Sequence, residues 1–267
     1  FSYSHCHPQN GGRFMEHEFK GYALVLQDGA DPRTGGVAIA GFTTAGMVGV
    51  IAASHIIKTL KMRQLGTVLN AEFPAVALMH NEVPKHPVRV YQGDGIGVFT
   101  SEIQFKNEQD IMFASTVLEW FTKGSFDRLI IIDGLVASGD VTTGQLFGVG
   151  SSEAARARLR NSGIEPIQQG IVAGITGFLL GEGDRLGIDV TALLAEASPL
   201  YPDARAAALA VEAIGELTGI EIPLTELLEN AQTIESSVQE VIENSRTMLP
   251  GPEIDVLDDP SRDPSVG

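Results

Sequence analysis

Apolar positions along the chain follow two rhythms. Short runs such as 22-YALVLQ-27 and 36-GVAIAGF-42 have the length of strands, the second dense enough to be buried. From Thr44 to Leu60 the period lengthens. Met47, Val48, Ile51, Ala52, His55, Ile56 and Leu60 recur at helical spacing. Strand-like runs return at 64-QLGTVLN-70, 75-AVALMH-80, 88-VRVYQ-92 and 95-GIGVFTSE-102, rich in Val and separated by Gly, Pro and Asn. A helix is expected from Asn107 to Lys123, stopped near Gly124. The segment 128-RLIIIDG-134 is apolar through its middle, which predicts a central parallel strand covered on both faces. Then come 145-QLFGVGS-151, a helix from Ser152 to Asn161, and an apolar stretch from Ile171 to Leu180.

Past residue 185 the pattern predicts helix. One helix spans about 203–219, punctuated by Pro202 and Gly219, and a second, longer one spans about 224–248. Strands interleaved with helices indicate a layered α/β domain, expected over 15–249. Residues 250–267 carry four prolines and little apolar content, so a disordered acidic tail is expected there. Residues 1–14, FSYSHCHPQNGGRF, have no period and are expected to be a disordered leader or tag. The Ser4–His5–Cys6–His7 cluster lacks the second ligand pair that a zinc site needs.

Charge narrows the function classes. The formal charge of −16 over 267 residues repels phosphate backbones and anionic lipid, so neither nucleic acid nor membrane is an expected partner. No run of about 18 apolar residues is present to span a bilayer. Cys6 is the single cysteine, so no internal disulfide forms and a reducing cytoplasm fits.

Candidate chemistry is sparse. In 41-GFTTAGMVG-49, Gly41 and Gly46 stand at phosphate-loop spacing. The Lys and Ser/Thr that would reach phosphate and Mg²⁺ are replaced by Met47 and Val48. Gly41, Gly46 and Gly49 are therefore read as structural: a tight strand-to-helix turn and close helix–sheet packing. His55 sits near the apolar face of its helix, as a hydrogen-bonded core imidazole would. His80 and Glu82 share a loop without further ligands. Asp133 ends the strongest strand, and ligands of open α/β sheets bind at the carboxyl edge. Asp133, Ser138 and Asp140 are the residues for a polar pocket, although Asp-Gly and Ser-Gly-Asp are also ordinary turn chemistry. No G-x-S-x-G, H-E-x-x-H or C-x-x-C motif occurs, and no catalytic residue, cofactor or metal site is assigned.

The C-terminal helix carries the sharpest pattern. Ile220, Leu224, Leu227, Ala231, Ile234, Val238 and Val241 alternate in spacings of four and three, a heptad seam flanked by glutamates. Leu227, Ala231, Ile234, Val238 and Val241 are the expected oligomer or partner seam. Leu228 and Ile242 widen the stripe, which leaves packing onto the helix's own domain as the other reading.

The block 39-IAGFTTAGMVGVIAASHIIKTLKMRQLG-66 resembles the opening motif of the archaeal proteasome assembly chaperone family, relatives of eukaryotic proteasome assembly chaperone two. The resemblance continues through 128-RLIIIDG-134, 146-LFGVGS-151, 170-GIVAGITGFLL-180 and 192-ALLAEASPLYPDARAAALAVEAI-214, covering about Gly21 to Ser245. It implies a three-layer αβα sandwich of phosphorylase/hydrolase-like outline, with a long C-terminal helix. It implies ATP-independent chaperoning as a homo-oligomer that binds α subunits of the proteasome core particle. Some members carry a C-terminal hydrophobic-Tyr-any tripeptide for which 265-SVG-267 has no counterpart. The competing reading is a nucleotide- or nucleoside-dependent enzyme, either a carboxylate–amine ligase or a phosphorylase/hydrolase relative.

Overall fold

The computed structural model describes residues 15–19, 22–70, 73, 75–80, 82–104, 107–136, 144–199, 201–229 and 231. In chain order the strands and helices are β1 (Met15–Phe19), β2 (Tyr22–Leu26), β3 (Val37–Phe42), α1 (Val48–Thr59), β4 (Arg63–Leu69), β5 (Leu78–His80), β6 (Val83–Lys85), β7 (Val88–Gly93) and β8 (Ile96–Ser101). There follow α2 (Asp110–Lys123), β9 (Arg128–Val136), β10 (Leu146–Gly150), α3 (Glu153–Asn161), β11 (Glu165–Pro166), α4 (Gly174–Leu186), β12 (Val190–Ala197) and α5 (Ala204–Thr218).

Ten strands form one sheet in the order β1-β2-β4-β7-β8-β3-β9-β12-β10-β11, and β5 and β6 make a separate hairpin. Its centre is parallel: β3 pairs with β8 and β9, and β9 pairs with β12. Side chains alternate across the pleat. Val37 and Ile39 of β3, Ile130 and Ile132 of β9, and Leu193 and Ala195 of β12 belong to one apolar cluster, together with residues of α1, α3 and α5. Ala38, Ala40 and Phe42, Leu129 and Ile131, and Ala192 and Leu194 belong to the other, together with residues of α2 and α4. The sheet is thus covered by helices on both faces, which is why its central strands read as unbroken apolar runs. On the α2 side the filling is aromatic. Phe99 meets Phe113 and Trp120 edge to face, each with centroids 5.5 Å apart. On the α5 side it is alanine: Ala204, Ala206, Ala207, Ala208, Ala210 and Ala213 are all buried, so that helix lies close to the sheet.

Two expectations are corrected. The chain past residue 185 is not all helical, because β12 lies at 190–197, buried for nearly its whole length between β9 and β10. Its sequence VTALLAEA has strong helix formers, and pairing on both edges overrides that preference. Nor is the helix continuous from Thr44. Residues 45–47 form a separate 3₁₀ turn in which Gly46 and Met47 take positive φ of 60° and 52°, and α1 starts at Val48.

Candidate functional site

The carboxyl end of β3 and the Asp133 stretch of β9, a strand that runs on to Val136, border one polar cavity of about 250 Å³. Phe42, Thr43 and Thr44 bring the end of β3 to it, and Asp133 brings β9. Gln104, Asn107 and Asp110 come from the approach to α2, while Ala173, Gly174 and Thr176 come from the start of α4. Two helix N-termini therefore converge on it, with their partial positive charge.

Asp133 is held from three sides. Its Oδ1 accepts from the Gly134 amide at 2.8 Å, and its Oδ2 accepts from the Thr176 hydroxyl at 2.5 Å. The Thr44 hydroxyl also hydrogen-bonds to it. Thr44 Oγ1 in turn accepts from the Gly134 amide at 3.2 Å, so turn and strand end are tied together. Burial raises the Asp133 pKa above the usual carboxylate range, against the lowering effect of these donors. Burial, with Glu108 nearby, likewise raises that of Asp110. Sequence reasoning found Asp133 but missed Thr44, Asp110 and Thr176. They lie on separate elements, so no spacing along the chain announces them. Ser138 and Asp140 lie outside the described residues.

The glycine turn sits beside this cavity and is filled by the chain itself. A Cβ on Gly41 would meet the Gly49 carbonyl oxygen at 2.1 Å, and one on Gly49 would meet the Ile132 carbonyl oxygen at 2.6 Å. A Cβ on Gly46 would lie 2.6 Å from that of Ala197. The Gly46 carbonyl accepts from the Asp203 amide at 2.8 Å. Asp203 then caps α5, accepting from Ala206 N at 2.9 Å and from Ser198 N at 3.3 Å. These glycines serve backbone-to-backbone packing, α1 against the sheet and the turn against the start of α5.

The histidines divide as follows. His55 is buried, and its Nε2 lies 2.8 Å from the Pro223 carbonyl oxygen, a structural contact. His80 Nε2 pairs at 3.1 Å with Glu102, not Glu82. Glu102 also takes the guanidinium of the buried Arg89. Among the described residues no group of three or more His, Cys, Asp or Glu could hold a metal ion, and no helix is long and apolar enough to cross a membrane.

For the seam, the burial of its first two residues is a correction. Leu227 and Ala231 are only 4 % and 1 % exposed and belong to the α1–α5 apolar cluster of their own chain. The segment is pinned by the His55–Pro223 contact and by an ion pair of Lys58 with Glu226. The stripe there is the wide one of a helix docked on its own domain, so these two positions are not a free surface. Ile234, Val238 and Val241 lie outside the described residues.

The fold and cavity define a mixed α/β protein with a large central sheet, helices on both faces, and a polar pocket at its carboxyl edge. The model of the PAC2 family matches residues 38–242, and the chain belongs to that family. It is similar to PbaA of Pyrococcus furiosus, an archaeal homologue of proteasome-assembly chaperone. The identity is 27 % and the TM-score 0.77, over 86 % of this chain and 94 % of that one. PbaB of Pyrococcus furiosus, an archaeal proteasome activator, shares the fold at 22 % identity and TM-score 0.71, over 84 % and 99 % of the two chains. An uncharacterized protein of Methanocaldococcus jannaschii is 25 % identical over 213 residues, 80 % of this chain and 88 % of its own.

Proposed function

We propose that this protein is an ATP-independent assembly chaperone that works as a homo-oligomer in the cytoplasm and binds α subunits of the proteasome core particle. The observation that carries this reading is the likeness to PbaA, at 27 % identity across 86 % of the chain. Chaperoning by binding requires an apolar surface that masks a partner's interface, not a reactive side chain. Exposed apolar residues are available: Met79 and Val83 on the β5–β6 hairpin, and Ile111 and Met112 at the start of α2. We assign the three-layer αβα arrangement and the continuation of the C-terminal helix toward residue 248 to the same reading. The homo-oligomer seam is placed on Ile234, Val238 and Val241, beyond the part of the pattern that the chain's own core consumes. Co-expression with proteasome α subunits tests the proposal. Affinity capture of this chain should retain α subunits with and without ATP, and failure to retain them in both conditions would refute it. The enzyme reading is favoured by one observation, the Asp133 cavity at the sheet's carboxyl edge. A thermal-shift scan with ATP, nucleosides and phosphate separates the two, since strong stabilisation by any of these supports an enzyme.

A further inference from the structure

The exposed apolar side chains gather at one edge of the sheet. β3, β8, β9 and β12 run parallel, so their carboxyl ends share an edge. The starts of α1, α2, α4 and α5 lie at that edge as well. β7 runs antiparallel to β8, with Val88 opposite Ser101, which brings the β5–β6 hairpin to the same edge. The His80–Glu102 contact holds it there. Met79 on the hairpin is 65 % exposed, Ile111 at the start of α2 is 61 % exposed, and Ile171 just before α4 is 95 % exposed. Val83, Met112 and Val136 extend the set. At the opposite, amino edge, Leu186 alone is a large exposed apolar side chain among the described residues. From β7 to β9 is three strand steps, about 14 Å, so the patch fits within one standard interface of about 800 Å² per partner.

Charge is divided between the two edges as well. Segments 70–87, 102–110, 133–145 and 196–205, which join elements at the carboxyl edge, contain nine Asp or Glu and three Lys or Arg, with Lys106 and the other residues outside the described set counted in. The four helix starts return about half a positive charge each, which leaves the edge negative. Lys61, Arg63, Lys123, Arg128 and Arg185 lie at the amino edge instead. We propose that the carboxyl edge of the sheet is the face that holds the client subunit, and that the client's matching surface is apolar with a border of Lys and Arg. This rests on the chaperone reading and names the surface it uses. Met79, Ile111 and Ile171 supply the apolar centre, and the exposed Glu82 and Glu108 belong to the acidic rim that selects a basic partner.

The test captures the full chain from co-expression with proteasome α subunits and measures association rates on the purified pair. Met79→Ser, Ile111→Ser and Ile171→Ser in one chain should lower capture by about tenfold or more, whereas Leu186→Ser at the amino edge should leave it unchanged. Circular dichroism and native mass should stay those of the native protein. If the triple variant does not fold, Ile171→Ser, at the most exposed of the three positions, decides alone. Glu82→Lys with Glu108→Lys should slow association and flatten its dependence on salt. Undiminished capture by the triple variant, while the native chain retains α subunits, overturns the proposal and leaves the chaperone reading standing. Failure of the native chain to retain them removes both. A lower oligomer mass in the triple variant overturns the proposal too, since the edge would then join copies of this chain. An association rate untouched by the lysine substitutions overturns the basic border.

Discussion

Asp133 shows how one carboxylate couples site to stability. Its folded-state pKa is raised, so the folded chain holds that proton more tightly than the unfolded chain does. The stabilising contribution is complete below the unfolded carboxylate range, about pH 4, and is lost as pH rises through the raised value. At neutral pH the buried charge is therefore a net cost. Asp133→Asn keeps an acceptor for the Gly134 amide and removes the charge. Its thermal midpoint should exceed that of the native protein at pH 7, with the gap closing on acidification. A midpoint at or below native at pH 7 would show that the three donors outweigh burial. Gly49 offers a test of opposite sign. Gly49→Ala pushes a methyl against the Ile132 carbonyl and should cost about 1–3 kcal/mol in urea unfolding. Asp133 was legible in the sequence because it follows the most apolar run and precedes a glycine, although the strand it was expected to end runs on to Val136. Thr44 and Thr176 were not, because a hydroxyl at a helix start looks the same whether or not a distant carboxylate bonds to it, and Asp110 was not, because an acidic residue in a helix's first turn is ordinary whether or not it borders a cavity.

At the scale of elements, legibility tracked how far local preference agreed with tertiary pairing. β3, β9 and α2 were legible because apolar period, flanking glycines and final burial coincide. β12 was not, since Ala, Leu and Glu favour helix and only its position between β9 and β10 makes it a strand. The kink before α1 was hidden for a similar reason. Met47 at positive φ is imposed by docking of the turn against Ala197 and Asp203, which are 150 or more residues away. Asp203 ties that turn to α5 and caps the helix. Asp203→Ala should therefore destabilise the fold by about 1–2 kcal/mol, measured by denaturant midpoint, with Asp203→Asn recovering much of the loss. Leu227 extends the argument to the C-terminal segment. Being buried in its own chain's core, Leu227→Ala should cost about 2–5 kcal/mol at any protein concentration.

For the molecule as a whole, the question is which part of the heptad pattern is spent inside one chain and which part is left for the proposed contact between chains. The pattern is continuous in sequence from Ile220 to Val241, yet Leu227 and Ala231 are consumed by the α1–α5 core. The proposed oligomer seam is then left with Ile234, Val238 and Val241, which lie outside the described residues. The acidic composition opposes self-association, because chains of charge −16 repel until salt screens them. Both effects bear on a single measurement. Native mass spectrometry, supported by light scattering across salt concentrations, should give an integral multiple of the chain mass that grows more populated as salt rises. Ile234→Asp should return the mass to that of fewer chains while circular dichroism stays native, since a charge desolvates badly only where a neighbour covers it. If Ile234→Asp instead unfolds the chain as Leu227→Ala destabilises it, the whole stripe belongs to one subunit's core. The homo-oligomer would then need a different surface, and the exposed Ile111 and Met112 of α2 are the next positions to charge.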